Sequence, residues 1–401
     1  MALVPVAEAL ERLLDGATAL PGESIALMDA PDRVLAEPVV ALRTQPPFNA
    51  SAMDGYAARA ADVASIPARL SVIGMAPAGR GFEGIIGPAQ AVRIFTGAPL
   101  PAGADTIVIQ ENARDLGGGG IEVIEPTPEW RNIRGLGLDF SKGDVLLEKG
   151  RVLDPAALSL AASANHPRVS VVKRPLVAII ATGDELLPPG SDLGPDQIIS
   201  SNAYGVAAAA ASVGADALDL GIAADHHEAI ATLVKRAVAA GADVIVTLGG
   251  ASVGDHDLVH DVLTGEGMTL DFWKIAMRPG KPLMFGRLGD VRCIGLPGNP
   301  VASLVCTQLF LKPLLARLGG RVHRQDMREA RLGTAMPAND LRQDYVRAVV
   351  TEEAGTLLAT PFGIQDSSML RMLADANALI VREPFAPSAA AGAACSVLML
   401  R

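Results

Sequence analysis

The chain has 401 residues, of which 50% are apolar, so it can build several domains with sizeable cores. Its formal net charge of −10 argues against a general nucleic-acid-binding protein, because such proteins need a basic surface to displace counterions. The three cysteines, Cys293, Cys306 and Cys395, are widely spaced and match no zinc-binding pattern, which favours reduced thiols in a cytoplasmic protein.

The amino-terminal segment predicts a short amphipathic helix over residues 4–15. Its acidic residues argue against a signal peptide. The longest apolar run, near Ala203–Val213, is far shorter than the ~20 residues that a membrane span needs. We therefore expect a cytoplasmic protein with no membrane partner.

Residues 16–60 are interrupted by prolines and predict loops and short strands. From residue 66 to 149, short apolar segments separated by Gly/Pro turns predict a small β domain. Asp154 and Pro155 then predict the N-cap and first turn of a helix, which we expect to pack beside the amino-terminal one.

The pattern changes at Pro175, where nearly continuous apolar runs predict strands that are buried on both faces. Helical segments alternate with them, at Ser201–Val213, His227–Ala240 and Pro300–Leu318. This alternation indicates an α/β domain with a mostly parallel sheet, whose ligands bind where strand ends meet helix N-termini. After Arg321, short strands and a helix near Ser368–Leu373 predict a small carboxy-terminal β domain.

The segment Asp243–Asp257 contains the second apolar strand of this domain and the glycine-rich stretch that ends it. Gly249 and Gly250 at the strand end would let backbone N–H groups approach an anion closely. The position where a P-loop needs lysine is Asp255, so a P-loop NTPase is excluded. A tight turn alone would also explain the glycines, but the neighbouring polar residues, Ser252 and Asp257 among them, favour a binding site.

A basic segment, Phe272–Gly286, contains Lys274, Arg278 and Lys281 around a Pro-Gly turn. Cations that flank a rigid turn suit a phosphate or another oxyanion. The alternative is a solvated charged hairpin. We favour the anion site because an acidic chain has concentrated its cations next to the glycine-rich segment.

A third segment, Cys293–Leu304, runs from a short strand into a Pro-Gly-Asn-Pro turn and a helix. Asn299 fits the N-cap and Pro300 the first turn, so the helix N-terminus could accept negative charge. A capped turn without a ligand would have the same sequence. Three such segments at three strand ends favour a site: an anionic small molecule is expected between Thr247 and Ser303.

Acidic residues follow two other strands. Thr182, Gly183, Asp184 and Glu185 follow one strand, and Asp225 follows another. Carboxylates around an anion would repel it unless a cation bridges them, which predicts Mg²⁺. Asp184 and Asp225 could instead be helix N-caps. His226 and the residue after it are expected to be exposed helix-start residues rather than zinc ligands.

Four polar residues of the amino-terminal half, Asp54, Thr96, Arg134 and Asp139, lie in segments that read as ordinary loops when taken singly.

With these segments in order, the chain resembles the MoeA/gephyrin family of molybdopterin molybdenumtransferases. The resemblance is carried by PPFNASAMDGYA, FTGAPLPAGADTIV, ATGDEL, SNAYG, GGASVGDHD, MRPGKP and LPGNP, and by DYVRA and QDSSML near the carboxy terminus. It implies an enzyme that inserts molybdate into adenylylated molybdopterin, with Mg²⁺, and releases AMP. It also implies a homodimer and leaves molybdenum-enzyme chaperones open as partners.

The resemblance implies a multidomain α/β and β fold. Its parts are a segmented helical domain (1–45 and 150–172), a β domain (46–149), a molybdopterin-binding α/β domain (173–322) and a carboxy-terminal β barrel (323–401). The site would lie between the α/β domain of one subunit and β-domain loops of the other.

Residue roles follow from the matching motifs. The implied catalytic residues are Asp54, Glu185, Asp225, Asp257 and Lys274, and the implied Mg²⁺ ligands are Glu185, Asp225 and Asp257. The implied substrate-binding residues are Thr96, Arg134, Asp139, Thr182, Gly183, Gly249, Gly250, Ser252, Pro297, Gly298, Asn299 and Pro300. The implied molybdate ligands are Ser252, Arg278, Lys281, Arg347 and Ser368, with Ser367 an alternative to Ser368. Arg278 stands where some relatives carry lysine.

Three other functions are weighed against this one. The sister activity, adenylylation of molybdopterin by ATP, fits the α/β domain but not the MDGYA segment and the flanking domains. A pure scaffold would not need the full set of acidic and basic residues. A generic nucleotide pyrophosphatase would not need Arg347 or Ser368.

Overall fold

The computed structural model describes residues 3–250 and 258–401. These residues form two compact units. The first, here called the β unit, comprises Ser24–Pro31 and Glu37–Ser170. The second, the α/β–barrel unit, comprises the described residues of 1–23, 32–36 and 171–401. The finer boundaries predicted for four domains stay predictions.

The β unit is built on a six-stranded sheet. Its strands, in spatial order, are Thr106–Ile109, Gly55–Ala58, Gln90–Ile94, Ala68–Ala76, Gly120–Val123 and Ala113–Gly117. The neighbours are antiparallel except for Ala68–Ala76 and Gln90–Ile94, which are parallel. The Gly55–Ala58 strand lies in the region predicted as loops and short strands, within a segment that taken singly reads as a loop. Its glycine allows close backbone approach, since a Cβ there would lie 2.0 Å from the carbonyl oxygen of Val108.

Shorter elements complete the β unit. Ile133–Arg134 pairs with Ala50–Ser51, and Val145–Leu147 pairs with Val39–Val40. The helix Pro155–Ser163 begins as predicted, with the Asp154 carboxylate accepting from the Ala157 amide at 2.8 Å. The strands Gly22–Ala26 and Arg168–Val172 span the sequence boundaries of the two units.

The α/β domain contains a second six-stranded sheet. Its strands, in spatial order, are Asp216–Ala223, Leu176–Thr182, Val244–Leu248, Val291–Leu296, Met284–Leu288 and Thr269–Phe272. The first four are parallel to one another, and Met284–Leu288 is antiparallel to both of its neighbours, so five of the six strands run in one direction and the sheet is mostly parallel, as predicted.

Alternate residues of the central strands enter two different hydrophobic cores, one on each face of the sheet. This explains why Leu176–Thr182 and Val244–Leu248 are almost wholly buried and have continuous apolar sequences. The helices that cover the sheet are Asn202–Ala211, His227–Ala239, Leu258–Gly265 and Pro300–Leu318, and the amino-terminal helix Val6–Leu14 joins the first core.

The Pro300–Leu318 helix contains one π-helical segment, Thr307–Leu311. Among the helices of the described residues, Pro300–Leu318 alone has the length and apolar composition of a membrane span. However, 78% of it is buried inside the protein, as is usual for a core helix.

The carboxy-terminal domain is a closed β barrel. Its strands, in spatial order, are Gln343–Glu353, Thr356–Pro361, Met327–Leu332, Ala394–Met399 and Ala378–Arg382, and the last pairs with the first to close the barrel. The short helix Leu370–Asp375 begins later than predicted, because Ser368 turns back to hydrogen-bond with Asp366. The edge strand Met277–Arg278 pairs with Gln343–Glu353 and joins the basic segment to the barrel.

Candidate active site

A cavity of about 620 Å³ opens at the carboxyl ends of the parallel strands, where ligands bind in open α/β sheets. Predicted site residues line it, namely Thr182, Gly183, Glu185, Asp225, Gly249, Gly250, Pro297, Gly298, Asn299, Pro300 and Ser368. The fold therefore brings together residues that are up to 186 positions apart, from Thr182 to Ser368.

The glycine turn after Val244–Leu248 needs glycine at both positions. Gly249 and Gly250 have φ of +94° and +65°, a region that favours glycine. A Cβ on Gly249 would lie 2.8 Å from the carbonyl oxygen of Thr182, and one on Gly250 would lie 2.3 Å from Val259. The backbone can thus come close both to the neighbouring strand end and to the cavity.

Thr182 is 4% exposed, and its hydroxyl has no hydrogen-bond partner among the described residues. Buried hydroxyl groups are nearly always paired in proteins. Because Thr182 lines the cavity, a ligand with a polar group could supply the partner.

The Pro-Gly-Asn-Pro turn begins the Pro300–Leu318 helix as predicted, but Asn299 does not act as its capping side chain. The Asn299 Nδ2 instead donates to Ser367 Oγ at 2.9 Å, and the Val301 amide donates to the Ser367 carbonyl oxygen. The Val301 N–H, at the helix N-terminus that was expected to accept an anion, therefore binds Ser367 of a barrel loop instead. Asn202 also supports the turn, donating to the Gly298 carbonyl oxygen at 2.7 Å.

Three carboxylates cluster at the acidic side of the cavity. Burial, and then the negative charges of Asp184 and Glu185, raise the pKa of Asp225. Asp184 accepts from the Asp225 amide at 2.9 Å and caps no helix. The cap of the next helix is His226, so the alternative reading of Asp225 as an N-cap is wrong.

Within the described ranges, no group of three or more His, Cys, Asp or Glu side chains has the arrangement of a metal site. Glu185 and Asp225 both line the cavity, which suits a cation held by one or two carboxylates plus ligand oxygens. The third predicted ligand, Asp257, and the predicted molybdate ligand Ser252 lie outside the described residues.

Of the three predicted cations, Lys274, Arg278 and Lys281, none is among the described residues that line the cavity. The neighbouring Pro282 does line it, so the basic turn reaches its edge. The Arg278 guanidinium donates to the Asp344 carboxylate, which raises the pKa of Arg278. In this conformation Arg278 is an ion-pair partner of the barrel.

Arg347, on the barrel strand Gln343–Glu353, is only 1% exposed and is not among the described residues that line the cavity. Its guanidinium donates to Gln365 Oε1 at 3.2 Å and to the carbonyl oxygens of Met369 and Ile364 at 3.1 and 3.5 Å. Arg347 thereby holds the barrel loop 364–369. Of the two candidate serines on this loop, Ser368 lines the cavity, whereas Ser367 binds Asn299.

The remaining predicted residues belong to the β unit. Asp54 Oδ1 accepts from both the amide and the hydroxyl of Thr96, each at 2.8 Å. These hydrogen bonds lower the pKa of Asp54, so it stays ionised at neutral pH. Arg134 and Asp139 are exposed in the same unit.

Some lining residues were not predicted as site residues, namely Ser200, Ser201, Asn202 and Pro282. A signal was present in the first three, because a Ser-Ser-Asn run before an apolar helical segment is typical of a helix N-terminus at a strand end.

The fold and the cavity define a multidomain α/β protein with a small-molecule-sized cavity at the carboxyl ends of its parallel strands. Comparison with known families agrees with this class. Residues 4–165 match the MoeA N-terminal region (domain I and II), residues 178–317 a probable molybdopterin binding domain, and residues 329–400 the MoeA C-terminal region (domain IV).

Curated relatives match nearly the whole chain. A molybdopterin molybdenumtransferase of Bacillus subtilis is 37% identical over 99% of this chain and 94% of the relative. Another, of Haemophilus influenzae, is 35% identical over 92% of each. A crystal structure of a molybdopterin biosynthesis MoeA protein from Pyrococcus horikosii covers 100% of both chains, with 29% identity and a TM-score of 0.87. The chain belongs to the MoeA family.

Proposed function

We propose that this protein is a molybdopterin molybdenumtransferase, which inserts molybdenum from molybdate into adenylylated molybdopterin and releases AMP. The observation that carries the proposal is the cavity at the strand ends, which is lined by the glycine turn 249–250, the Pro297–Pro300 turn and the carboxylates of Glu185 and Asp225. The buried Thr182 hydroxyl, which has no partner among the described residues, also lies there. The named relatives, which match over their full domain organisation, supply the chemistry.

In this proposal the glycine turn and the Pro297–Pro300 turn hold the phosphates of the adenylylated pterin, while Thr182 donates a hydrogen bond to it. Backbone amides suit this task because they come close to an anion without adding charge. Asn202 keeps the second turn in place through its bond to Gly298.

We assign Glu185 and Asp225 as ligands of a Mg²⁺ ion, together with Asp257. When bound, Mg²⁺ neutralises phosphate charge and favours departure of the adenylate. Their role can be tested by titrating Mg²⁺ after chelation, with Glu185→Gln and Asp225→Asn as variants. Each should raise the Mg²⁺ concentration for half-maximal AMP release by about tenfold or more.

Molybdate is the second substrate, a tetrahedral dianion that requires cations and hydroxyl donors. We assign it to the side of the cavity that Ser368 lines, with Lys281 and Ser252 as further ligands. Arg278 joins this set by exchanging Asp344 for the oxyanion. Arg347 acts at least by holding the loop that carries Ser368.

We further propose a cytoplasmic homodimer in which Asp54 and Thr96 of one subunit act beside Lys274 of the other. Arg134 and Asp139 would bind substrate from the same side as Asp54. Molybdenum-enzyme chaperones would accept the product.

The function is tested by incubating the purified protein with adenylylated molybdopterin, Mg²⁺ and molybdate. We expect release of AMP and a cofactor that activates an apo-molybdoenzyme, both increasing with molybdate until saturation. Formation of the adenylate from molybdopterin and ATP would show the sister activity instead. AMP release without active cofactor would indicate a pyrophosphatase.

A further inference from the structure

Arg93 lies on the strand Gln90–Ile94 of the β unit, outside every set of predicted site residues. It is half-buried, and its guanidinium carbon lies 4.9 Å from the ring centre of Tyr56 and 5.2 Å from that of Phe95. A guanidinium packed against two rings is held in a defined orientation, since cation–π contacts favour its planar face.

The same guanidinium donates to two polar groups. Nη1 donates to the carbonyl oxygen of Gly55 at 3.3 Å, and Nη2 donates to Gln110 Oε1 at 2.7 Å. The backbone N–H of Gln110 in turn donates to the carbonyl oxygen of Asp54 at 3.1 Å. Arg93 thus contacts the residue that follows Asp54 and a residue that binds the Asp54 backbone.

The third contact concerns the partner of the Asp54 carboxylate. Thr96 donates both of its hydrogen bonds to that carboxylate, and it directly follows Phe95, which packs against Arg93. One side chain therefore connects the three segments that fix the backbone and the carboxylate of Asp54. Its positive charge adds to the lowering of the Asp54 pKa, after the Thr96 hydrogen bonds.

We propose that Arg93 is a positioning residue, which holds Asp54 in its working orientation by joining Gly55, Gln110 and the Phe95–Thr96 segment. The proposal rests on the catalytic role proposed above for Asp54. Lysine would not reproduce these contacts, because its ammonium has no planar face to pack against the two rings and its three donors diverge from a single nitrogen.

The test compares Arg93→Met and Arg93→Lys with a matched control, Arg69→Met, in the same sheet. Arg69 has a side chain that is 77% exposed and makes one surface ion pair, with Glu122, so its loss should change little. We expect both Arg93 variants to lower kcat about 10–100-fold while KM stays within about twofold, since a misplaced catalytic group is costly at the transition state.

Two further measurements separate positioning from a general structural defect. Hydrogen exchange at the Thr96 amide, which the Asp54 carboxylate protects, should become faster in Arg93→Met and stay unchanged in Arg69→Met. The kcat losses of Arg93→Met and Thr96→Val should combine to less than their product, because both act on the same carboxylate. Unchanged exchange at Thr96, or multiplicative losses, would overturn the proposal. A wild-type protein that releases no AMP would overturn the proposed function instead, while the exchange experiment would still decide the role of Arg93.

Discussion

The turn that ends the central strand offers a quantitative test of how the cavity is built. Alanine at Gly249 would have to adopt φ of +94°, which costs about 1–2 kcal/mol for a residue with a Cβ. Its Cβ would also lie 2.8 Å from the Thr182 carbonyl oxygen, and overpacking of this kind costs about 1–3 kcal/mol. We therefore expect Gly249→Ala to lower the free energy of unfolding by about 2–5 kcal/mol.

Gly241 separates these two contributions. It has φ of +75°, but a Cβ added there would meet no heavy atom within 4 Å. Gly241→Ala should therefore carry only the backbone cost, about 1–2 kcal/mol. The difference between the two variants measures the steric clash at the strand end.

Urea unfolding followed by tryptophan fluorescence can report on the α/β domain alone. The chain has two tryptophans, and Trp130, in the β unit, is 55% exposed. In a Trp130→Phe background the remaining tryptophan is Trp273. It packs against a core of the α/β domain that includes Val259, so its fluorescence reports on the unfolding of this domain. Equal losses for Gly249→Ala and Gly241→Ala would refute the steric part of this reasoning.

Three further predictions concern the charged residues. Arg278→Ala should raise the molybdate concentration for half-maximal activity about tenfold or more, because a charge-assisted hydrogen bond to molybdate is lost. The KM for adenylylated molybdopterin should change less. Equal changes in both quantities would contradict a specific role of Arg278 in molybdate binding. Heterodimers of Asp54→Ala and Lys274→Ala subunits should regain activity that neither homodimer has, since one of the two shared sites is then intact; proven heterodimers without activity would exclude a shared site. Arg342 lowers the pKa of Asp340 to about 2 from 3.8, so the pair stabilises the fold above about pH 4, and this contribution is lost as the pH falls through about 2. The melting temperature of Asp340→Asn should therefore fall less steeply than that of the wild type between about pH 4 and about pH 2. An equal dependence of the melting temperature on pH in the two proteins would contradict this prediction.

Much of the α/β domain could be predicted because its signals are local. Continuous apolar runs identified the buried strands, and glycines at strand ends identified the turn that needs positive φ. The acidic residues after the strands were likewise found from their position at the carboxyl ends. Each of these features depends on residues within a few positions of one another.

The interactions that could not be predicted join residues far apart in sequence. Asn299 fits a helix cap by its local sequence, but its amide binds Ser367, which is 68 positions later. Arg278 looks free within its turn, but Asp344, 66 positions away, pairs with it. Such partners follow from how the barrel packs on the α/β domain, and local patterns carry no information about that packing.

Through loop 364–369 the barrel forms part of the cavity. Arg347 attaches this loop to the barrel, and the loop supplies Ser368 to the cavity and two hydrogen bonds to the neighbouring turn through Ser367. The α/β domain expressed alone would therefore have a cavity with one wall missing. Exchanging the barrels of two relatives should transfer part of their ligand preference, although most of the cavity residues would be unchanged.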